Sequence, residues 1–213
     1  MYSVRMLTTL DPNNASFVAE FSMMYETSFP SEERRPVQEL LLDQAKGMYT
    51  IYVSVHNNAV SGMITLFRPS NSRVVLLDYF AVHPKLRSQG QGLILFKDLV
   101  ALCEENGEIL CLEVEQPVLH TQEDIRWRRI GFYRRGGAVL LQDFVYLLPD
   151  LDKSGIITKM HLMFAGMDYH TPLRRDELAE FMHMLFVQLY KRHPEDAILQ
   201  QNVLHLPQNM VWN

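Results

Sequence analysis

Six consecutive residues have the composition of an anion-binding loop: Arg87-Ser88-Gln89-Gly90-Gln91-Gly92. Two glycines one residue apart let the backbone turn sharply, so that several N–H groups point at the same anion. The loop lies between an apolar strand-like segment at 74–82 and a helix-like segment at 93–106. The first turn of a helix adds unpaired N–H groups and the positive end of the helix dipole. The loop therefore predicts a pyrophosphate site, to which Arg87 adds a positive charge.

The glycine spacing separates this loop from the two best-known phosphate loops. A dinucleotide fingerprint needs G-x-G-x-x-G and a P-loop needs G-x-x-x-x-G-K-[ST], and neither pattern is present. The sequence instead reads R-x-x-G-x-G after Ala81-Val82-His83-Pro84. This pattern resembles the coenzyme A loop of the GNAT family of N-acetyltransferases. The other interpretation is a tight strand-to-helix connection in which the glycines serve only the turn.

Apolar periodicity and turn residues predict the elements that position the loop. Strands are expected at 3–9, 48–55, 59–67, 73–82 and 108–115, and helices at 15–26, 37–46, 93–106 and 121–135. A final hairpin is expected from 138–147 and 156–165. The apolar stripe of 174–192 predicts a helix docked on the core, and residues 193–213 are expected to form a tail packed on the domain.

The strand ending at Val82 and the strand beginning at Ile109 are joined by a helix, which predicts a βαβ unit with parallel strands. The other neighbouring strands are expected to be antiparallel. This mixed α+β order is similar to the GNAT fold, a central, mostly antiparallel sheet flanked by helices. The resemblance covers about residues 1–165. We therefore expect an acetyltransferase domain at 1–165 and a C-terminal helical extension at 166–213 packed on the same domain.

The resemblance also implies how acetyl-coenzyme A binds. The loop 87–92 would hold the pyrophosphate, and the backbone of Phe80, Ala81 and Val82 would pair with the amides of the pantetheine arm. The thioester would lie in a gap between this strand and the strand at 110–114. Arg126 and Arg129 stand where small or amide residues commonly line the coenzyme, and we expect them to reach its phosphates instead.

Transfer of an acyl group from a thioester to an amine requires two proton steps, and a tyrosine fits one of them. The leaving thiolate has a conjugate acid of pKa about 8.5, so a phenol of pKa about 10 beside it can act as a general acid. Tyr133 lies in a segment that resembles the family's L-Y-x-x-x-G-F, with Gly137 at the glycine and Ala138 in place of the phenylalanine. Tyr133 is the predicted acid. The alternative is a tyrosine that caps the core with its hydroxyl in water.

Three acidic residues compete for the role of general base. Glu113 and Glu115 alternate with apolar residues, so both should project from one face of their strand. Asp78 lies on the preceding strand, where regular alternation puts it on a face with Leu76, Phe80 and Val82. Apolar surroundings raise the pKa of a carboxyl group toward the working range. We expect catalytic roles for Asp78 and Glu113 and a substrate-binding role for Glu115. A structural acid or a water relay is the alternative.

The segment between the first two helices is the candidate acceptor loop. In the family that the chain resembles, this loop overhangs the acceptor site. Phe29 and Glu33 are therefore expected to contact the acceptor, with the carboxylate binding an ammonium group. The alternative is a capping box in which Ser31 caps the second helix.

The composition limits the kinds of binding partner and the cellular compartment that we expect. The net charge of −5 over 213 residues argues against nucleic acid and suits a small-molecule or peptide amine. No apolar run approaches the about 18 residues of a membrane span, and the first residues lack a signal-peptide pattern, so we expect a cytoplasmic protein with no membrane partner. Cys103 and Cys111 are expected to be buried thiols, and no metal motif is evident.

The predicted function is transfer of an acetyl or other short acyl group from acetyl-coenzyme A to a primary amine by direct attack. The two cysteines lack a sequence context that would activate a nucleophile, which disfavours a covalent intermediate. A non-catalytic acyl-coenzyme A binding or sensing module is the alternative, prompted by Ala138 and Arg126. The Met- and Phe-rich C-terminal helix is compatible with a homodimer. The identity of the amine is left open.

Overall fold

The computed structural model describes residues 7–118, 124–151, 155–168 and 170–213. The strands are β1 (Leu7–Thr9), β2 (Tyr49–His56), β3 (Ala59–Phe67), β4 (Val74–Val82), β5 (Ile109–Glu115), β6 (Val139–Leu140), β7 (Tyr146–Leu148) and β8 (Thr158–Ala165). The helices are α1 (Ala15–Ser28), α2 (Val37–Ala45), α3 (Gln91–Glu105), α4 (Ile125–Arg135), α5 (Arg175–Met184) and α6 (Ala197–His205). A π-helical turn at Leu185–Leu189 continues α5.

The strands form one sheet in the order β1-β2-β3-β4-β5-β8-β6, with β7 also pairing with β8. All pairs are antiparallel except β4 with β5, which are parallel and joined through α3. The parallel pair is the predicted βαβ unit. The prediction of a mixed, mostly antiparallel sheet flanked by helices is therefore confirmed.

The parallel pair is joined only at its beginning. Register pairs between β4 and β5 run from Val74 opposite Ile109 to Leu76 opposite Cys111. In contrast, β3 follows β4 as far as Val82 and β8 follows β5 as far as Glu115. Beyond Leu76 the two strands therefore diverge, which leaves a gap in the sheet with a free backbone edge on each side.

Helices cover both faces of the sheet and bury one apolar cluster on each. The face covered by α1, α2, α5 and α6 buries residues such as Phe21, Phe181 and Leu199. The face covered by α3 and α4 buries Phe96 and Ile130. The gap between β4 and β5 opens toward both helical layers, so side chains from either face can reach it.

Asp78 forms a β-bulge in β4. The register with β3 shifts by one residue at this point, which leaves Asp78 without an opposite partner. Its carboxylate accepts a hydrogen bond from Tyr49 on the face of α1 and α2. Phe80 and Val82 pack on the opposite face, with α3 and α4. The prediction that Asp78 shares a face with Phe80 and Val82 is wrong because the extra residue inverts the alternation.

The last residues have more structure than their pattern indicates. The predicted tail contains α6, which docks through Asn202, whose side-chain amide bonds the backbone N–H and C=O of Leu147. The C-terminal Asn213 then exchanges two backbone hydrogen bonds with Leu140 in β6. The predicted final hairpin strand is also broken into β6 and β7, since Asp143 between them has a positive φ of 53°.

Two further details differ from the expectations. The residue before α2 is Pro36, and no side chain caps this helix, while the Ser31 hydroxyl bonds to Glu32. The capping box at Ser31 is therefore wrong. The apolar stripe of α5 and the π-helical turn is buried in the chain's own core, which removes it as a dimer surface. Among the described residues, no helix is long and apolar enough to cross a membrane.

Candidate functional site

The glycine loop presents a row of unpaired backbone N–H groups at the beginning of α3. Ser88 and Gly90 adopt positive φ values of 60° and 78°, and this left-handed backbone curls the loop into a concave turn. Local backbone bonding resumes only with Leu93, which donates to the carbonyl of Gly90. The amides of 88–92 donate to no acceptor within the described part of the chain. Consecutive N–H groups at the positive end of a helix make an anion site.

The side chains of the loop hold its shape. The Arg87 guanidinium donates to the carbonyl of Val82 at 2.9 Å, and the amide of Gln89 donates to the carbonyl of Lys85 at 2.7 Å. A Cβ added at Gly92 would make only ordinary contacts, 3.5 Å from Phe132 and 3.6 Å from Val82. Internal packing therefore does not by itself require glycine at position 92.

Tyr133 lies with other aromatic residues on the α3 and α4 side of the gap. Its ring centroid is 5.0 Å from that of Phe96 and 5.2 Å from that of Phe132. Phe80 of β4 is 6.0 Å from Phe132, which links the cluster to the free edge of the strand. Burial raises the pKa of Tyr133 above its ordinary value, and the nearby charge of Arg129 acts in the opposite direction. At neutral pH the phenol keeps its proton.

Two carboxylates lie on the opposite side of the gap. Burial raises the pKa of Asp78 to about 6, although a 2.8 Å hydrogen bond from Tyr49 and the charge of Arg35 oppose the shift. Burial also raises the pKa of Glu113 to about 7, and the charge of Asp78 adds to the effect. Tyr190 donates to Glu113 at 2.5 Å. Both acids therefore titrate near neutral pH, where proton transfer is most effective.

A second tyrosine lies beside Glu113. The ring of Tyr146 is fully buried, and its hydroxyl has no hydrogen-bond partner among the described residues. Burial raises its pKa, and the facing charge of Glu113 raises it further. A buried hydroxyl without a partner is costly. It is thus a donor available to a bound ligand beside Glu113.

The loop after α1 lies over β4 at the same face. Phe29 packs edge-on against Tyr79, with ring centroids 5.0 Å apart. The hydroxyl of Tyr79 donates to the backbone carbonyl of Glu33 at 2.7 Å. The side chain of Glu33 is exposed. The loop residues named from the sequence are thereby fixed next to the strand that carries Asp78.

Arg126 and Glu115 contact each other. The guanidinium lies 2.7 Å from the carboxylate of Glu115 and 3.3 Å from that of Asp124. Asp124 is buried and caps the beginning of α4 through the N–H of Arg126. Arg129 is exposed on the next turn. Glu115 is therefore neutralised by an arginine, unlike Glu113 on the same face of β5, while Arg129 keeps its charge at the surface near Tyr133.

Three tyrosines at the acids were not predicted from the sequence: Tyr49, Tyr146 and Tyr190. They come from β2, β7 and the residue after the π-helical turn, so no local pattern connects them with β4 or β5. Cys103 and Cys111 are buried free thiols as expected, and burial raises the pKa of both.

The sequence matches a protein-family model. The model of the acetyltransferase (GNAT) family matches residues 14–137, a range that contains α1, the glycine loop, both acids and Tyr133. No curated protein sequence matches the chain significantly.

Solved structures with the same fold come from several bacteria. A protein from Bacteroides thetaiotaomicron assigned to the GNAT family has a TM-score of 0.68 and 24% identity, over 88% of this chain and 99% of that chain. The aminoglycoside 6'-N-acetyltransferase from Enterococcus faecium has a TM-score of 0.56 and 16% identity, over 76% and 97%. A GNAT acetyltransferase from Elizabethkingia anophelis with acetyl-CoA bound has a TM-score of 0.51 and 17% identity, over 78% and 97%.

Proposed function

Because the chain belongs to the GNAT acetyltransferase family, we propose that it transfers an acetyl or other short acyl group from acetyl-coenzyme A to a primary amine. One observation carries the proposal. The gap between β4 and β5 lies near the unpaired amides of 88–92. The phenol of Tyr133 is on one face of the sheet, and the carboxyl groups of Asp78 and Glu113, both with raised pKa, are on the other. A direct transfer from a thioester to an amine needs this combination of an anion cradle, an acid and a base.

The loop and the free edge of β4 fit the donor. The amides of 88–92 would hold the pyrophosphate, and Phe80 to Val82 would offer backbone groups to the pantetheine arm, since β5 does not pair with this part of β4. The coenzyme supplies an activated acyl group whose leaving atom is a sulfur. A GNAT relative has been solved with acetyl-CoA bound. Of the two arginines expected to reach the phosphates, Arg129 is exposed, whereas Arg126 is engaged by Glu115 and Asp124.

Glu113 is the proposed general base. An alkyl ammonium must lose a proton before its nitrogen can attack, and a carboxylate of pKa about 7 can accept that proton, directly or through a water. Asp78, with a pKa of about 6, supports the positive charge of the incoming amine. Glu115 is a weaker candidate because Arg126 already neutralises it.

Tyr133 is the proposed general acid. Its hydroxyl would donate a proton to the sulfur as the bond from sulfur to the acyl carbon breaks. Tyr133 and the two carboxyl groups lie on opposite faces of the sheet. This supports separate acid and base roles, because the amine and the leaving sulfur lie on opposite sides of the reacting carbon. Phe29 and Glu33 would line the approach of the amine over Tyr79.

The test combines binding with turnover. Calorimetric titration with acetyl-coenzyme A should give saturable binding, and release of free thiol should depend on an added amine from a panel of amino acids, polyamines, aminoglycosides and peptides. Binding without thiol release across that panel would contradict the transferase and favour an acyl-coenzyme A sensor. The absence of binding would contradict both.

Two glycines with the same backbone conformation allow a matched test of the loop. Gly90 and Gly47 have φ values of 78° and 77°, and a Cβ at either position meets nothing within 4 Å. Alanine at either should cost about 1 kcal/mol of stability, because a left-handed backbone is strained for a residue with a Cβ. Only Gly90→Ala disturbs the amide cradle, so we expect its Kd for coenzyme A alone to rise about tenfold, the loss of roughly one charge-assisted hydrogen bond.

Calorimetry on both variants, with thermal unfolding alongside, checks this prediction. An equal Kd for Gly90→Ala and Gly47→Ala would show that the loop does not bind the coenzyme.

A further inference from the structure

The C-terminal part of the chain reaches the gap through one side chain. Tyr190 follows the π-helical turn and donates its hydroxyl to the Glu113 carboxylate at 2.5 Å. The two residues are 77 positions apart in the sequence. Position 190 also lies outside the segment that matches the family model, which ends at residue 137. The contact therefore lies beyond the segment that the family model matches.

The helix is built to present Tyr190 at this point. The N–H of Tyr190 donates to the carbonyl of Leu185, five residues earlier, and Arg192 donates to Phe186. A π-turn adds one residue to the helical turn and is found frequently at functional sites. It keeps Leu185, Phe186 and Leu189 in the core. The ring of Tyr190 packs edge-on against Phe186 at 5.5 Å, which fixes the direction of its hydroxyl.

The other groups that face Glu113 do not replace this contact. Asp78 approaches from β4 with a like charge, and Cys111 on β5 is a buried thiol. The Tyr146 hydroxyl faces Glu113 from β7 and lowers its pKa less than Tyr190 does, but it does not reach hydrogen-bond geometry. The backbone of β5 is paired with β8 at Glu113 itself. Among the described residues, Tyr190 is thus the side chain whose hydrogen bond to the Glu113 carboxylate has full hydrogen-bond geometry.

We propose that Tyr190 is a positioning residue that holds the Glu113 carboxylate in the gap between β4 and β5, which makes the C-terminal extension part of the catalytic site. This inference rests on the proposed acyl transfer, in which Glu113 accepts the proton of the amine. The bond leaves one carboxylate oxygen of Glu113 for the substrate and prevents the side chain from rotating toward the core. Because the hydrogen bond favours the charged form, it also keeps a buried acid ionisable at neutral pH.

Tyr190→Phe tests the bond without changing the ring packing. The titration of Glu113 can be followed by ¹³C NMR of glutamate carboxyl carbons, with the resonance identified by its loss in Glu113→Gln. We expect the midpoint in Tyr190→Phe to rise by on the order of one pH unit. The acidic limb of the pH profile of kcat/KM should shift upward by the same amount, while KM for acetyl-coenzyme A is unchanged.

Tyr52→Phe is the matched control. It also removes one tyrosine hydroxyl, which accepts a 3.4 Å hydrogen bond from Arg68, but Tyr52 packs against the other apolar cluster. Neither the Glu113 midpoint nor the pH profile should change. Thermal unfolding of both variants shows whether either substitution perturbs the fold.

The outcomes separate this inference from the proposed function. Wild-type acyl transfer with an unmoved Glu113 midpoint in Tyr190→Phe would overturn the role of Tyr190 alone. If the Glu113 midpoint shifts but the pH profile of kcat/KM does not, the Tyr190–Glu113 hydrogen bond has only a structural role, and the inference is also overturned. No acyl transfer by the wild-type protein would overturn the proposed function, and the catalytic purpose of Tyr190 with it, whatever the NMR midpoint does.

Discussion

Tyr133→Phe is expected to lower kcat about a hundredfold, the lower end of what a general acid contributes, and to leave the Kd of acetyl-coenzyme A nearly unchanged. The phenylalanine ring can keep the contacts with Phe96 and Phe132, so only the proton donor is lost. The thiolate must then leave without protonation.

Stopped-flow or steady-state thiol release at pH 6 to 10, with calorimetry for the coenzyme, checks this expectation. The Tyr52→Phe variant serves as the control, because it loses a tyrosine hydroxyl on the same face of the sheet at a distance from α4. Turnover equal to that of the wild type across this pH range would remove Tyr133 from the mechanism. A loss of coenzyme binding instead would indicate that Tyr133 shapes the donor site.

Glu113→Gln is expected to lower kcat/KM about a hundredfold at pH 7 to 8, because an amide cannot accept the proton of the amine. In the wild type the rate should rise as the pH passes through about 7, the pKa of Glu113, since only the carboxylate is a base. This rise should be absent or displaced in the variant. An unchanged profile would point to Asp78 or to a water relay as the base.

The same substitution is expected to stabilise the fold at alkaline pH. The folded pKa of Glu113, about 7, lies above the unfolded value of about 4.3, so the fold binds the proton more tightly than the unfolded chain. The stability contributed by Glu113 is therefore fully present below pH about 4.3 and is lost as the pH rises through about 7. At pH 8 Glu113→Gln should gain roughly 3 to 4 kcal/mol in the free energy of unfolding.

Urea unfolding at pH 4.5, 6 and 8 measures this gain. Glu104→Gln, at an exposed position on α3, is the control and should show no such dependence on pH. A variant that is less active and more stable cannot owe its lost activity to unfolding. If Glu113→Gln were less stable than the wild type at pH 8, the carboxylate would be a structural acid.

The sequence alone determined the features that depend on neighbouring residues. The glycine loop was recognisable because the turn, its amides and the following helix all lie within residues 87–106. The alternation of β5 placed Glu113 and Glu115 on one face because that strand runs without a bulge. The position of Tyr133 in α4 followed from a local motif in the same way.

The tertiary structure decided the features that depend on residues far apart in the chain. Which face of the sheet the β4 side chains occupy after Asp78 depends on how β3 and β4 pair. The gap depends on the separation of β5 from β4 after Leu76. The pairing of Arg126 with Glu115 and of Tyr190 with Glu113 joins separate elements. A sequence pattern fixes which residue types face the core, but register, bulges and helix docking fix which of them meet. The glycine loop was thus predictable from neighbouring residues, whereas the surroundings of Tyr133, Asp78 and Glu113 exist only once the sheet is assembled.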